Sequence, residues 1–119
     1  MGPLRRFFDR LSESDEARHA AEIKSWSEKI PEATPIDEAT PRQRAKIAGI
    51  VRRITVSPME GSESIKLLVT DGRAECEVVL MGRRSVPGVT LGTRLIVEGV
   101  VAEHRGTRRM VNPHLEIAG

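Results

Sequence analysis

Short runs of alternating hydrophobic and polar residues fill the last two-thirds of the chain, from residue 44 to residue 117. Gly, Pro and Asp interrupt these runs, as they do in turns between β-strands. The pattern predicts five strands, over residues 45–56, 64–70, 73–81, 93–102 and 108–117. Five strands in about 75 residues, with a long first strand that Gly49 allows to coil or bulge, indicate a small Greek-key barrel.

The first part of the chain has helical spacing instead. Four apolar side chains recur at the i, i+3, i+4, i+7 spacing of one helix face: Leu4, Phe7, Phe8 and Leu11. We expect a short amphipathic helix up to residue 11, and a second helix that Ser12 caps and that ends near Lys29. Because so short a helix is marginal in water, the first segment is expected to dock on the barrel, on a protein partner or on a membrane surface, or else to be disordered.

Three prolines, Pro31, Pro35 and Pro41, separate the helical region from the strands, and this segment is expected to be a linker. The chain is therefore expected to comprise an N-terminal helical extension and linker, residues 1–41, and a barrel domain, residues 42–119. The predicted fold class is all-β with an N-terminal α-helical extension.

Charge is divided unevenly between these two parts. Residues 1–41 carry six basic and nine acidic side chains, a net of −3, and residues 42–119 carry thirteen and eight, a net of +5, which together give the +2 of the chain. Eleven of the thirteen basic residues are Arg, whose planar head suits phosphate contacts, although GC-rich coding also favours Arg over Lys. Arg83 and Arg84 are expected to pair with the acidic helix, or alternatively to hold a phosphate or carboxylate.

Several classes of protein are disfavoured by what the sequence lacks. The single cysteine, Cys76, cannot form an internal disulfide, and we find no apolar run of membrane-spanning length and no secretory signal, so a cytoplasmic protein is expected. We find no nucleophile elbow, Gly-rich phosphate loop or paired-carboxylate motif, and His104 and His114 lack further ligands at metal spacing. No enzyme activity, cofactor or metal site is predicted.

The chain resembles an OB-fold domain, and in particular the stand-alone OB-fold nucleic-acid-binding proteins of actinobacteria. The resemblance covers nearly the whole chain and is carried by Ile47-Ala48-Gly49, Asp71-Gly72, the run from Gly82 to Val89, the run from Leu91 to Gly99, and Met110-Val111-Asn112-Pro113. The closing Met-x-Asn-Pro-x-x-Glu pattern is also similar to the last strand of the wedge OB domain in the helicase that remodels stalled replication forks. These likenesses imply a five-stranded OB barrel and a nucleic-acid role.

OB barrels bind single strands through a basic groove and through aromatic platforms on which bases stack. Eight candidate side chains for the groove lie on or next to the predicted strands: Arg52, Arg53, Lys66, Arg73, His104, Arg105, Arg108 and Arg109. The chain has no Tyr, and its Phe and Trp residues lie outside the predicted barrel, so binding is expected to be weak and salt-dependent. Glu75 and Glu77 are expected to face the same groove and to oppose a polyanion.

Two functions therefore stay open from the sequence. The first is a non-enzymatic module that binds single-stranded DNA or RNA through phosphate contacts, with little sequence preference. The second is a protein-interaction or adaptor module, which docks through the barrel surface or through the apolar face formed by Leu4, Phe7, Phe8 and Leu11. The oligomeric state is not predicted.

Overall fold

In a computed structural model, an N-terminal helix is followed by a mixed seven-stranded sheet. The structure describes the backbone of residues 3–59 and 62–118, and the side chains of residues 15–57 and 63–118. The elements are the helix α1 (Pro3–Glu28), a 3-10 helix (Ile36–Glu38), and the strands β1 (Arg44–Met59), β2 (Ser62–Thr70), β3 (Glu75–Met81), β4 (Arg94–Val100), β5 (Ala102–His104), β6 (Thr107–Val111) and β7 (His114–Ile117).

The predicted break near Ser12 is wrong, because α1 is one continuous helix. Pro3 stands at the first helical position, where its missing N–H costs nothing, and no Gly or Pro interrupts the sequence before Glu28. Four residues predicted to dock lie in this helix, but their side chains lie outside the described residues: Leu4, Phe7, Phe8 and Leu11. No helix in the described part of the chain combines the length and the apolarity that crossing a membrane requires.

The chain is mostly β-structure, as predicted, but the last two predicted strands are each divided. Val101 leaves the ladder between β4 and β5, where its N–H and C=O bond to Gln43 and Arg42. Asn112 and Pro113 separate β6 from β7, because Asn112 has a φ of 49° and Pro113 has no N–H to donate.

The strands lie in the order β5-β6-β3-β2-β1-β4-β7. The β3–β6 pair is parallel and the other five pairs are antiparallel. The long strand β1 pairs with β4 through its first half and with β2 through its second half. A bulge lies between the two halves, where Val51 faces Val69 and Arg53 faces Leu68, so that Arg52 has no partner in β2.

Gly49 is required where β1 changes partners. A Cβ atom added there would lie 2.5 Å from the carbonyl oxygen of Thr70 and 2.7 Å from Val69 Cγ1. Only glycine permits so close an approach of two strands. The sequence allowed a coil or bulge at Gly49, and the structure places the bulge further along the strand, between Val51 and Arg53.

The inner side of the sheet forms the hydrophobic core, built mainly from alternate residues of β1, β2, β3 and β4. Ile36 and Ala39 also belong to this core, with 0% and 2% of their surface exposed. The segment predicted as a linker therefore covers part of the core, because the 3-10 helix turns Ile36 inward.

Asp71 fixes this segment to the sheet. Its buried carboxylate accepts a hydrogen bond from the backbone N–H of Ile36 at 2.8 Å, and others from Arg73 and Ala74 at 2.9 and 3.0 Å. One side chain thus shapes the β2–β3 turn and satisfies the first N–H of the 3-10 helix.

The C-terminal half of α1 packs on the sheet. Ile23 is buried, Ser27 Oγ donates to the carbonyl of Ala48 at 2.9 Å, and the guanidinium of Arg94 lies 5.1 Å from the Trp26 ring centroid.

Arg84 does not seat the helix, contrary to the sequence-based expectation. Its guanidinium pairs with Glu63 on β2. The helix instead approaches the β2–β3 turn at Gly72, where a Cβ atom would lie 2.3 Å from the carbonyl oxygen of Ala20.

Asp71→Ala should destabilise the protein by about 2–3 kcal/mol, because three backbone donors lose their acceptor in a buried site. Urea unfolding of the variant and the parent measures this difference. Asp37→Ala is the matched control, since it removes only an exposed ion pair with Arg73, which contributes little to stability. Equal effects of the two substitutions would contradict the role assigned to Asp71.

Gly72→Ala should cost more stability than Gly92→Ala and should shift the Trp26 emission to longer wavelength. Both glycines have a φ of 88°, so both substitutions carry the left-handed strain of about 1–2 kcal/mol. Only Gly72 contacts α1, since nothing lies within 4 Å of a Cβ atom at Gly92. Matching losses, with unchanged Trp26 emission in both variants, would show that α1 does not pack at Gly72.

Candidate nucleic-acid interface

Four neighbouring strands, β1, β2, β3 and β6, present a continuous surface opposite the core, which we call the outer face. Register places Arg53 beside Leu68, Leu68 beside Glu77, and Glu77 beside Arg109, one residue from each strand. Lys66 lies in the next outward row, between Thr55 and Val79. The outer face thus brings together three of the predicted cations, Arg53, Lys66 and Arg109, from three different strands.

Glu77 lies at the centre of these cations. Arg109 donates from Nε and Nη2 to Glu77 Oε2, at 3.0 and 2.7 Å, and the Lys66 ammonium lies 3.8 Å from the same oxygen. We call Lys66, Glu77 and Arg109 the Glu77 cluster. The side chains of Glu77 and Arg109 are 19% and 23% exposed, so this ion pair is shielded more than most surface pairs.

The surroundings of Glu77 favour its charged form. Desolvation raises its pKa, but the hydrogen bonds from Arg109 and the charge of Lys66 outweigh this effect, and the pKa lies below the ordinary value. The carboxylate therefore stays ionised at neutral pH and neutralises much of the cationic charge on the outer face.

Arg52 and Arg53 are adjacent in sequence and both exposed, but they lie in different surroundings. The bulge leaves Arg52 without a partner in β2, and its Nη1 lies 3.5 Å from Glu75 Oε2. Arg53 forms no ion pair with any described residue and points to solvent beside Leu68. His104 and Arg105 are exposed at the β5–β6 turn, where Arg105 adopts a φ of 51°.

Arg73 and Arg108 hold the 3-10 helix and do not extend the outer face. Arg73 Nη2 donates to Asp37 Oδ2 at 2.9 Å, and this bond raises the pKa of the guanidinium. Arg108 donates to the carbonyls of Ala39 and Asp37, at 3.3 and 3.2 Å. These two predicted contacts are thus engaged in the fold.

Neither a metal site nor a reactive thiol is found at this surface among the described residues. Within residues 15–57 and 63–118 no group of three or more His, Cys, Asp or Glu side chains is placed to hold a metal ion. Burial, and secondarily the charge of Glu77, raises the pKa of Cys76 to about 12, so that the thiol is not a nucleophile at neutral pH. The outer face carries aliphatic side chains, Leu68, Val79 and Val111, between its charges.

Searches with protein-family models, among curated proteins and among solved structures found no match to the chain.

Sequence reasoning placed Glu75 and Glu77 on the face with the cations, and the structure pairs them with three of those cations. It missed Asp37 and Asp71, which bind the 3-10 helix to the sheet. The available signal was Ile36, a large apolar residue between Pro35 and Asp37 in a segment that otherwise lacks such residues.

Because of the Glu77 cluster, the stability of the folded protein should decrease as the pH is lowered. Because the folded-state pKa of Glu77 lies below its unfolded value, the cluster stabilises the fold above the unfolded pKa of about 4.3. That stability is lost as the pH falls through the folded-state pKa. Thermal melts of the parent between pH 7 and pH 3 should show a steeper loss than melts of Glu77→Gln.

Glu116→Gln is the control for this experiment, since Glu116 is exposed and forms no ion pair with a described residue. Its melting profile should follow that of the parent. A Glu77→Gln profile parallel to the parent over the whole range would contradict the stabilising role of the cluster.

Proposed function

We propose that the sheet is an OB barrel. Support comes from the strand pairings when β4 and β5 are taken as one strand interrupted at Val101, and β6 and β7 as another interrupted at Asn112 and Pro113. β1 then has β2 and the β4/β5 strand as neighbours, and β3 has β2 and the β6/β7 strand. The pairs β5–β6 and β4–β7 join the two interrupted strands, which closes a ring of five.

We further propose that this barrel binds single-stranded DNA or RNA on the outer face, without marked sequence preference. The observation that supports this function best is the Glu77 cluster, in which one carboxylate oxygen already occupies the position between two cations from different strands. A backbone phosphate carries a similar charged oxygen and would take the place of the carboxylate. Arg53 on one side, and Arg105 at the β5–β6 turn, extend the cationic surface, and His104 lies beside Arg105 at that turn.

The same cluster sets the expected strength of binding. A phosphate must displace Glu77 from Arg109, so that part of the favourable electrostatic free energy is spent on breaking an existing pair. The described side chains of the outer face include no aromatic ring for a base to stack on. Affinity should therefore be modest and should depend on salt more than on sequence.

Fluorescence anisotropy with a labelled single strand of about 12 nucleotides tests this function. Affinity should fall steeply between about 50 and 200 mM salt, with a logarithmic slope near −2 if three phosphates are contacted. No binding at the lower salt would contradict the proposal.

Glu77→Gln should raise the affinity at the lower salt by roughly 3- to 10-fold and should steepen the salt dependence, because Lys66 and Arg109 become available to phosphates. Glu98→Gln is the matched control: it makes the same charge change in an ion pair with Arg44, away from the outer face. An equal gain in both variants would indicate a general charge effect and would remove the outer face as the binding site.

A protein-interaction function is the second candidate, and two observations favour it. Five of the eight predicted cations already have partners within the described part of the chain, and Val111 on the outer face leaves 54% of its surface exposed. Deletion of residues 1–12 removes the predicted amphipathic segment and changes no residue of the outer face. Under the nucleic-acid proposal, oligonucleotide affinity should stay within about 2-fold of the parent, since the outer face provides the phosphate contacts. A complete loss would place the binding determinants in the N-terminal segment instead.

A further inference from the structure

A cleft of about 580 Å³ lies between α1 and the sheet, next to the outer face. Its floor is apolar, formed by Ile23 from the helix and by Ile50 and Val51 from β1. All three residues are at least nine-tenths buried, so the floor offers a ligand a narrow apolar surface beside the polar rim. This volume lies within the range of about 300–1,000 Å³ that small-ligand sites occupy, and an apolar floor is typical of them.

Polar groups line the rim of the cleft. The guanidinium of Arg52 and the carboxylate of Glu75 lie side by side, 3.5 Å apart, with side chains that are 59% and 43% exposed. His19 stands on the helical wall. Donors and acceptors are therefore adjacent to one another, within reach of a molecule that rests on the apolar floor.

The β1 bulge connects this cleft with the outer face. Arg53 lies opposite Leu68 on the outer face, whereas Arg52, the unpaired residue of the bulge, lines the cleft. Bulges commonly redirect a side chain in this way next to a binding site. A nucleic-acid strand that contacts Arg53 on the outer face would therefore lie next to the cleft, because the adjacent residue of β1, Arg52, lines the cleft.

We propose that the cleft receives one unstacked nucleobase of the strand whose phosphates lie on the outer face. This inference rests on the proposed function and adds a base subsite to it. The faces of a base are apolar and fit a floor of Ile and Val, and its edge carries donors and acceptors that match Arg52 and Glu75. Single strands are commonly recognised through bases that leave the stack, and an Arg plane takes the place of an aromatic ring. The subsite thus compensates for the missing aromatic platform.

The affinity ratio between a normal strand and a fully abasic strand of equal length tests the subsite, because both carry the same phosphates. The full-length protein should bind the normal strand about 5-fold more tightly, the lower end of the range for a stacked base, because no Phe, Tyr or Trp among the described residues lines the cleft. Ala20→Leu places a larger side chain on the wall of the cleft and should bring the ratio close to 1. Ala21→Leu is the control, since Ala21 is exposed on the same helix and does not line the cleft; it should keep the parental ratio.

A second pair of variants avoids any disturbance of helix packing. Arg52→Gln should lower the ratio, because it removes a contact to the base. Arg53→Gln should weaken both strands equally and keep the ratio, because it removes a contact to phosphate.

The outcomes separate the two proposals. If the parent binds both strands equally well, the base subsite is refuted and the phosphate-binding function stands. If the parent binds neither strand, both are refuted. A ratio that survives both Ala20→Leu and Arg52→Gln places the base contact elsewhere and also overturns the subsite.

Discussion

The change of partners along β1 is the constraint on which the rest of the structure depends. One 16-residue strand lies between β4 and β2, and it pairs with β4 along its first half and with β2 along its second half. Gly49 allows β1 to approach the end of β2, and the bulge at Arg52 absorbs the additional residue. At the bulge, Arg53 lies opposite Leu68 on the outer face, and Arg52 lines the cleft beside α1, next to Glu75.

A second constraint concerns the cost of covering the core. The 3-10 helix that inserts Ile36 carries polar backbone groups into contact with the sheet, and each needs a partner. Asp71 provides an acceptor for its first N–H, and Arg108 donates to carbonyls of the same segment. Charged residues are therefore used for folding, so the net charge of +5 in residues 42–119 overstates the charge that is available to a polyanion.

The strands could be predicted from the sequence because alternation and turn residues are local signals. The predicted helix break at Ser12 was wrong because a possible capping residue does not end a helix that no Gly or Pro interrupts. The division at Val101 depends on backbone hydrogen bonds to Arg42 and Gln43, nearly 60 residues earlier in the chain, and no local pattern encodes it. The pairing of Glu77 with Arg109 likewise follows from the parallel register of β3 and β6, which periodicity alone cannot give.

The central claim is that a nucleic-acid strand lies on the outer face and replaces the Glu77 carboxylate as the partner of Arg109. Nuclear magnetic resonance of the arginine Nε–H groups during titration with a single strand at low salt tests it most directly. The Arg109 signal should move together with backbone amides of Arg53 and Lys66, while the Arg84 signal, whose guanidinium pairs with Glu63, should stay in place. Movement of the Arg84 signal with a fixed Arg109 signal would contradict the claim.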